Sequence, residues 1–356
     1  NHFLLEYLYR VPINEVGIPE YHINPSRNLG DLKQPNVIYP VGDYCFTHIY
    51  PSPEGEWNYY ISIEPVLTRN LDGLMLEVDR RLLDFVDRFD PSYDDEERKK
   101  ALFDSIDEIC SVNGKSSSTN GKSSKRGLRL FRGETNGKLK VSQSELEAIK
   151  YLIVRNKVGL GILEPMIRDP HIEDISCSGL GNIFIEHKIF HSLKSAAVFS
   201  NYEELDEFVL SLSERVKRPV SLHSPIADAA LPDGSRINVV YGKHLSKRGS
   251  NFSIRKFSEV PFSVLELIDF GTLDYKMAAY PSLVISLGMN VFCSGETASG
   301  KTTMMNALTT FIQPNAKIVS IEETPELRVP HTNWIREVVE AKKEETDSGV
   351  TMFDLL

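Results

Sequence analysis

The sequence has little cysteine, no long apolar run and no excess of basic residues. Its four cysteines, among 356 residues, are scattered and form no Cys-x-x-Cys pair. That spacing supports neither a zinc site nor a disulfide framework, so we expect reduced thiols, as in a cytosolic protein. The most apolar run, residues 281–293, is broken by serine, glycine and asparagine. It is shorter than the ~20 residues of a membrane helix.

The charge balance is acidic, with 40 basic residues against 50 acidic ones and a net charge of −10. Surfaces that bind nucleic acid are usually basic, so the balance argues against a DNA or RNA partner. Hydrophobic residues make up 41% and charged residues 25%, which is an ordinary globular composition. The length predicts two or three domains, at roughly 100–200 residues each.

The first 110 residues form one predicted region. Prolines are dense up to about residue 70, alternation at 57–63 predicts a strand, and helical periodicity follows at 74–89. Residues 111–127 are rich in glycine and serine, with no apolar residue after Val112, which predicts a flexible linker and a domain boundary.

Residues 128–258 alternate helix and strand patterns and predict a compact α+β domain. The predicted elements are a helix at 142–157, a hairpin at 172–190 turning at 178–181, a helix opened by a Ser200–Glu203 capping box, and strands at 226–231, 236–240 and 251–257. The predicted third domain, 259–356, starts with helices at 262–270 and 274–287, the second interrupted at Pro281.

One segment of this third domain matches the phosphate-binding pattern G-x-x-x-x-G-K-[ST] at every fixed position. Its residues are Gly295, Glu296, Thr297, Ala298, Ser299, Gly300, Lys301 and Thr302. The glycines let backbone N–H groups turn toward a phosphate, the lysine can reach β- and γ-phosphates, and the threonine hydroxyl can ligate Mg²⁺. The alternative is a glycine-rich turn with an exposed lysine.

The flanking segments fit a phosphate site. Residues 289–294 predict a buried parallel strand, and a helix from Thr303 to Phe311 would direct its positive end at the phosphate. A second strand pattern, 317–321, leads into Glu322, Glu323 and Glu326. Carboxylates at the end of a parallel strand can orient water or hold Mg²⁺ through water, whereas an ordinary polar loop would have the same sequence.

These segments resemble a known family. The runs SGETASGKTTMMNAL, SIEETPEL and VPHTNW are similar to the Walker A and Asp-box segments of motor ATPases that power type II secretion, type IV pili and the archaeal archaellum. The upstream runs RPVS, LPDGSRIN, FSIRKF and GTLDYKMAAY resemble the archaeal branch. Together they cover residues 140–340, and residues 1–110 carry no resemblance.

The resemblance implies a partner-binding region at 1–110, a PAS-like α+β N-terminal domain of the motor at 128–258, and a RecA-like P-loop ATPase domain, incomplete at its C-terminal end, at 259–356. It implies a homo-hexameric ring that binds ATP and Mg²⁺ between the two motor domains. An integral membrane platform protein would be the partner, at the cytoplasmic face of the membrane.

Roles for individual residues also come from the resemblance. Glu326 corresponds to the catalytic glutamate of the Asp box, with Glu322 and Glu323 supporting metal and water. Arg236 and Arg255 occupy positions from which the N-terminal domain offers arginines to the phosphates. A guanidinium suits this role because it stabilises charge spread over the γ-phosphoryl oxygens. Because a strand residue can face either side of a sheet, the alternative for each arginine is a surface ion pair.

The chain departs from the family pattern in two places. Glu322-Glu323 stands where the family has Glu-Asp, and the family's Walker B and His-box segments would lie beyond residue 356. We expect hydrolysis by this chain alone to be weak or absent for the second reason. Three alternatives to the motor stay open: a nucleic-acid-translocating P-loop ATPase, a nucleotide-binding assembly module without turnover, and a small-molecule kinase.

Overall fold

The computed structural model describes residues 2–42, 44–52, 57–66, 71–90, 92–112, 137–256, 261–296, 299–322, 325–339 and 350–356. The chain divides into two compact units. Unit 1 contains residues 1–226 and 239–253, and unit 2 contains residues 227–238 and 254–356. Most of the predicted linker lies outside the described residues, and the predicted domain boundaries stay predictions.

Helices occur along the whole described sequence. They are α1 (His2–Leu8), α2 (Ile13–Val16), α3 (Asp72–Leu82), α4 (Asp95–Ile109), α5 (Gln143–Lys157), α6 (Glu164–Arg168), α7 (Tyr202–Arg215), α8 (Val264–Asp269), α9 (Tyr275–Ser286), α10 (Lys301–Thr309) and α11 (Met352–Leu355). Short 3-10 helices lie at Arg27–Asp31, Leu83–Arg88 and Gly161–Leu163. Within the described residues, no helix combines the length and hydropathy that a bilayer crossing requires.

The described strands form one large sheet and two small ones. They are β1 (Glu20–Tyr21), β2 (Val37–Val41), β3 (Cys45–Tyr50), β4 (Tyr59–Ile63), β5 (Cys110–Val112), β6 (Leu139–Val141), β7 (Ile172–Cys177), β8 (Gly181–His187), β9 (His191–Phe199), β10 (Ile226–Ala230), β11 (Arg236–Val240), β12 (Asn251–Arg255), β13 (Ile318–Glu322) and β14 (Trp334–Val338).

The large sheet is mixed, so the fold is mixed α/β. Its strand order is β1-β2-β3-β4-β9-β8-β7-β12-β11-β10. Strands β2, β3 and β4 form an antiparallel meander, and β4 then pairs in parallel with β9. Strands β7, β8 and β9 form a second antiparallel meander, which contains the predicted hairpin. The strands of the first 63 residues thus belong to the same sheet as the strands between residues 172 and 255.

Apolar clusters hold the helices of unit 1 in place. Helices α3, α4 and α5 share a buried cluster that includes Val78, Ile106 and Ile149. Helix α1 packs Phe3 and Leu4 against a smaller cluster formed by strands β2, β3 and β4. These alternating strands and amphipathic helices each present one apolar face, and the faces meet in the core.

The helix predicted at 142–157 is confirmed as α5, whereas the capping box predicted at Ser200 is not found. Ser142 caps α5 in a complete capping box with Glu145. The predicted cap at Ser200 is wrong, because Asn201 caps α7 and its side chain accepts from the Glu204 N–H. Asn201 is the N-cap because asparagine is at least as good an N-cap as serine and because Asn201 lies one residue nearer the helix than Ser200.

Two further predictions in unit 2 are wrong. Helix α9 runs through Pro281, which was expected to interrupt it. Residues 289–294 form no strand, and Phe292 is 94% exposed although a buried strand was expected. A strand must exchange backbone hydrogen bonds with a neighbouring strand. The described strands that follow residues 289–294, β13 and β14, pair with each other instead.

All four cysteines are free, as predicted.

Candidate nucleotide-binding site

The phosphate-loop segment leads directly into α10. Gly300 caps this helix in the left-handed conformation, with φ of 86°, which glycine adopts without the steric cost of a Cβ. The helix begins at Lys301, two residues before the predicted start at Thr303, and its first amide groups therefore face the loop. Thr302 and Thr303 lie in its first turn, whereas Thr297 and Ala298 fall outside the described residues.

Lys301 folds back onto its own loop. Its Nζ donates to the carbonyl oxygens of Gly295 at 3.0 Å and Glu296 at 2.5 Å. A Cβ built on Gly295 would lie 2.5 Å from the Ser299 hydroxyl oxygen, so a side chain at 295 would require that hydroxyl to turn away. The loop is therefore a tight turn around an ammonium group, with Glu296 and Ser299 exposed on it.

Glu322 is a buried carboxylate at the end of β13, with 8% exposure. It accepts from the backbone N–H of Glu326 at 2.6 Å, from the N–H of Leu327 at 2.8 Å and from the Ser320 hydroxyl at 3.0 Å. Charge-assisted hydrogen bonds of this kind are stronger than neutral ones. Glu322 therefore fixes the loop that follows β13. Its predicted neighbour Glu323 lies outside the described residues.

Asn306 connects α10 to that same loop. Its Oδ1 accepts from the Arg328 N–H at 2.8 Å, and its Nδ2 donates to the Glu326 carbonyl at 3.4 Å. Glu326 is thus held through both backbone groups, while its side chain is only half-buried. The structure thus joins the Glu322 carboxylate and the backbone of Glu326 in one hydrogen-bonded arrangement with the helix that starts at Lys301.

Arg336 on β14 completes the surroundings of Glu322. Its Nε lies 3.5 Å from Glu322 Oε1, and its Nη2 donates to the Pro325 carbonyl. Its guanidinium also lies over the Trp334 ring, 5.4 Å from the centroid. Sequence reasoning missed Arg336 and Asn306. Two features of the sequence could have identified them. Arg336 is a cation within an apolar strand pattern, and Asn306 is an amide on the buried side of an apolar helix.

The two predicted arginines lie on strands of the large sheet. Arg236 opens β11 and forms a two-pronged ion pair with Asp228 on β10, with Nη2–Oδ2 at 2.6 Å and Nε–Oδ1 at 3.1 Å. Its side chain is 52% exposed. Arg255 ends β12 and is exposed. Asp228 is a partner that the sequence analysis did not anticipate.

A metal at this site would depend on few protein ligands. The described residues contain no group of three or more histidine, cysteine, aspartate or glutamate side chains placed to hold a metal ion. Mg²⁺ in nucleotide sites usually takes one or two protein ligands and the remainder from phosphate and water. The Thr302 hydroxyl in the first turn of α10 is a ligand of that kind, so the residues present fit such a role.

Comparison with known proteins identifies the family to which the chain belongs. The profile of the family described as type II/IV secretion system protein matches residues 156–356, more than half of the chain. The chain therefore belongs to the type II/IV secretion system ATPase family, which confirms the resemblance found in the sequence.

Individual relatives agree with that assignment. An uncharacterized protein of Methanocaldococcus jannaschii is 39% identical over 360 residues, covering 100% of this chain and 63% of the relative. A second M. jannaschii protein is 35% identical over 58% of this chain and 29% of the relative. The type IV secretion system protein VirB11 of Bartonella quintana is 27% identical over 38% of this chain and 47% of its own length. The chain thus spans less than two thirds of these relatives.

Solved structures of the family are similar at a low level. The VirB11 ATPase of the Brucella suis type IV secretion system, in complex with sulphate, aligns with a TM-score of 0.26 and 23% identity, covering 49% of this chain and 59% of that one. The pilus retraction motor PilT with bound ADP aligns with a TM-score of 0.32 and 14% identity, covering 47% of each chain. Scores this low carry no structural inference.

Proposed function

We propose that the protein is an ATP-driven motor ATPase that powers protein secretion or the assembly or rotation of a pilus-like or archaellum filament. It works as a homo-hexameric ring on the cytoplasmic face of the membrane, against an integral membrane platform protein. Family membership supports this proposal, since the family is described as type II/IV secretion system protein and the VirB11 relative is named as a type IV secretion system protein.

The observation that carries the proposal is the linkage between the phosphate loop and the carboxylate loop. Helix α10 starts at Lys301, and five residues later Asn306 binds both the Glu326 carbonyl and the Arg328 N–H. A P-loop ATPase needs phosphate-binding groups and a water-orienting carboxylate held in fixed relation. A RecA-like core, in which a P-loop helix is followed by parallel strands, accounts for α10, β13 and β14 in this order.

The lysine acts first when nucleotide arrives. Lys301 exchanges the carbonyl oxygens of Gly295 and Glu296 for phosphate oxygens, which are stronger acceptors because they are charged. The phosphates are then surrounded by the loop and helix start from Gly295 to Thr303, including the amide groups of the first turn of α10. The Thr302 hydroxyl would hold Mg²⁺, which would neutralise the charge that develops on the phosphates.

The carboxylates divide the remaining work. Glu322 holds the loop by its hydrogen bonds to the N–H groups of Glu326 and Leu327, and the half-buried Glu326 carboxylate orients the attacking water and takes its proton. Glu323 supports the metal and water. Arg236, once released from Asp228, and Arg255 stabilise the γ-phosphoryl oxygens as the ring closes on nucleotide.

ATP binding and phosphate release test this proposal. Both are measured on this chain and on the natural polypeptide that contains it, each as wild type, Lys301→Ala and Lys317→Ala. Lys317 is an exposed lysine just before β13 and serves as the matched control. We expect Lys301→Ala to lower phosphate release by about 100-fold or more, since it removes a cation from the transferred phosphoryl group. Lys317→Ala should have no effect.

Other outcomes would replace the motor. Nucleotide binding without phosphate release, with the membrane partner present or absent, would favour an assembly module. Phosphate release stimulated by DNA and abolished by salt would favour a nucleic-acid translocase. Phosphate transfer to a small molecule would favour a kinase.

A further inference from the structure

The turn between β10 and β11 belongs to the same compact unit as the phosphate loop. Residues 227–238 lie in unit 2, together with residues 254–356. The turn is closed by the Leu231 N–H, which donates to the Ser235 carbonyl at 2.8 Å. Gly234 within it has a φ of 87°, a left-handed conformation that glycine adopts without strain. Asp228 and Arg236, on either side of this turn, are therefore part of the unit that contains the phosphate loop.

Arg328 brings this turn next to the carboxylate loop. A Cβ built on Gly234 would lie 3.1 Å from Arg328 Nη2, so the guanidinium rests against the turn. Arg328 follows Glu326 by two residues, and its N–H donates to Asn306 Oδ1 at 2.8 Å. Arg236 is two residues beyond Gly234, which is about 7 Å along an extended chain. Arg236 therefore lies near the loop that carries Glu326.

Asp228 occupies one edge of the Arg236 guanidinium. Nε donates to Asp228 Oδ1 at 3.1 Å, and Nη2 donates to Asp228 Oδ2 at 2.6 Å. Arginine uses this two-pronged geometry for carboxylates and phosphates alike, so both anions require the same N–H groups. The two side chains are about half exposed, and an ion pair this exposed contributes little to stability. A phosphate can therefore displace the carboxylate.

We propose that Asp228 is a latch, a carboxylate that holds Arg236 in the nucleotide-free protein until the γ-phosphate of ATP displaces it. This inference rests on the proposed ATPase function and adds a means of regulating it. The Asp228 carboxylate and the γ-phosphate compete for one guanidinium edge, so the latch lowers the affinity for ATP. ADP has no γ-phosphate and leaves the latch closed. Asp228 thus makes Arg236 available in the ATP-bound state alone.

Titration with AMP-PNP, an ATP analogue that resists hydrolysis, and with ADP tests the latch by calorimetry on the natural polypeptide with Mg²⁺. Asp228→Asn keeps the shape of the side chain and removes its charge. We expect this variant to bind AMP-PNP about three- to fivefold more tightly, the range set by the strength of an exposed ion pair. Its affinity for ADP should equal that of the wild type. Phosphate release at ATP concentrations below saturation should rise by the same factor as the affinity for AMP-PNP.

A second pair of variants shows whether Asp228 acts through Arg236. Arg236→Ala removes the group that the latch holds, so adding Asp228→Asn to it should leave the affinity for AMP-PNP unchanged. Asp269→Asn removes one carboxylate from an exposed position at the end of α8, in the same unit, and should change neither affinity. Thermal unfolding of each variant checks that it is folded.

Three results would overturn the latch. Equal gains for AMP-PNP and ADP, or a gain that persists in Arg236→Ala, would reduce Asp228 to a general source of negative charge. Weaker binding of AMP-PNP to Asp228→Asn would mean that the carboxylate orients Arg236 toward the phosphates. The third result is an unchanged affinity for AMP-PNP in Asp228→Asn.

The same variants distinguish failure of the latch from failure of the ATPase proposal. If Lys301→Ala and Arg236→Ala lower phosphate release while Asp228→Asn behaves as the wild type, the latch is wrong and the ATPase proposal stands. If neither Lys301→Ala nor Arg236→Ala alters nucleotide binding or phosphate release, the ATPase proposal is wrong, and the latch is wrong with it.

Discussion

His48 on β3 is enclosed by groups that fix its protonation. Asn36 Nδ2 donates to the Val16 carbonyl at 2.8 Å, which leaves Asn36 Oδ1 to accept from His48 Nε2 at 2.7 Å. The other ring nitrogen, Nδ1, therefore accepts from the Tyr7 hydroxyl at 2.7 Å. Both nitrogens are used by the neutral ring, and burial lowers the pKa of His48 to about 4.

This geometry predicts an acid-sensitive contribution to stability. The unfolded chain takes up the proton near the ordinary pKa of 6.5, whereas the folded chain does so only near 4. Stability is therefore full above pH 6.5 and falls as the pH drops toward 4, by on the order of 3 kcal/mol. Urea unfolding across this range should show a steeper loss for the wild type than for His48→Gln. His223→Gln, at an exposed histidine, should follow the wild type, and equal slopes for all three would contradict the assignment.

Local chemistry explains which site residues the sequence could predict. Gly300 and Lys301 follow a pattern in which each residue type is required by its own backbone or charge, and the helix that this pattern predicts is present as α10, although it begins two residues earlier than expected. Asn306 and Arg336 acquire their roles from partners that are distant along the chain, such as Arg328 and Glu322. No spacing rule connects these pairs, so only the folded chain reveals them.

Helices and hairpins follow from short-range signals. Ser142 and Glu145 lie three residues apart, and the two strands of the β7–β8 hairpin are joined by a three-residue turn, so each was predictable. The conformation of residues 289–294 was not predictable in this way. Their apolar composition fits a strand only if neighbouring strands form hydrogen bonds with their backbone groups. Pro281 was also misjudged, since it lies in the middle of α9 without ending it.

Helix α10 and the loop after β13 should be coupled through Asn306. Asn306→Ala leaves the Arg328 N–H without its acceptor, at a cost of about 1–3 kcal/mol, and loosens the position of Glu326. Lys301 and Gly300 are untouched, so ATP affinity should stay near the wild-type value while phosphate release falls about tenfold. Binding and release assays on the natural polypeptide distinguish the two effects.

A neighbouring residue provides the control for that experiment. Met305→Ala changes an exposed side chain on the same helix and should alter neither quantity. If Asn306→Ala weakened ATP binding as much as phosphate release, the asparagine would be supporting the helix itself and the coupling would be disproved.

Unit 1 as a whole depends on a buried polar cluster around Asp169. Its Oδ2 accepts from the hydroxyls of Tyr39 on β2 and Tyr60 on β4, at 2.7 and 3.0 Å. Its Oδ1 accepts from the His171 N–H at 2.9 Å, just before β7. His187 Nε2 reaches the Tyr39 hydroxyl at 3.0 Å from β8. The cluster therefore joins both meanders of the large sheet.

Removal of this carboxylate should destabilise the whole unit. Asp169→Ala leaves two buried phenol hydroxyls without their acceptor, which should lower the free energy of unfolding by about 3 kcal/mol. Glu173→Ala, at an exposed position on β7, should change it by less than about 0.5 kcal/mol. The urea midpoints of the two variants provide the measurement. A small loss in Asp169→Ala would mean that the meanders are held together by apolar packing alone.

The parallel pairing of β4 with β9 also sets an order of events during synthesis. Tyr59 pairs with Lys194, 135 residues further along the chain. At about 5–20 residues per second, a ribosome needs on the order of ten seconds to supply the second strand after the first. For that interval β4 presents an open edge to solvent, where it can pair with the wrong strand. Slower translation between the two meanders would lengthen this exposure, so the demand for chaperones should depend on codon usage in that stretch.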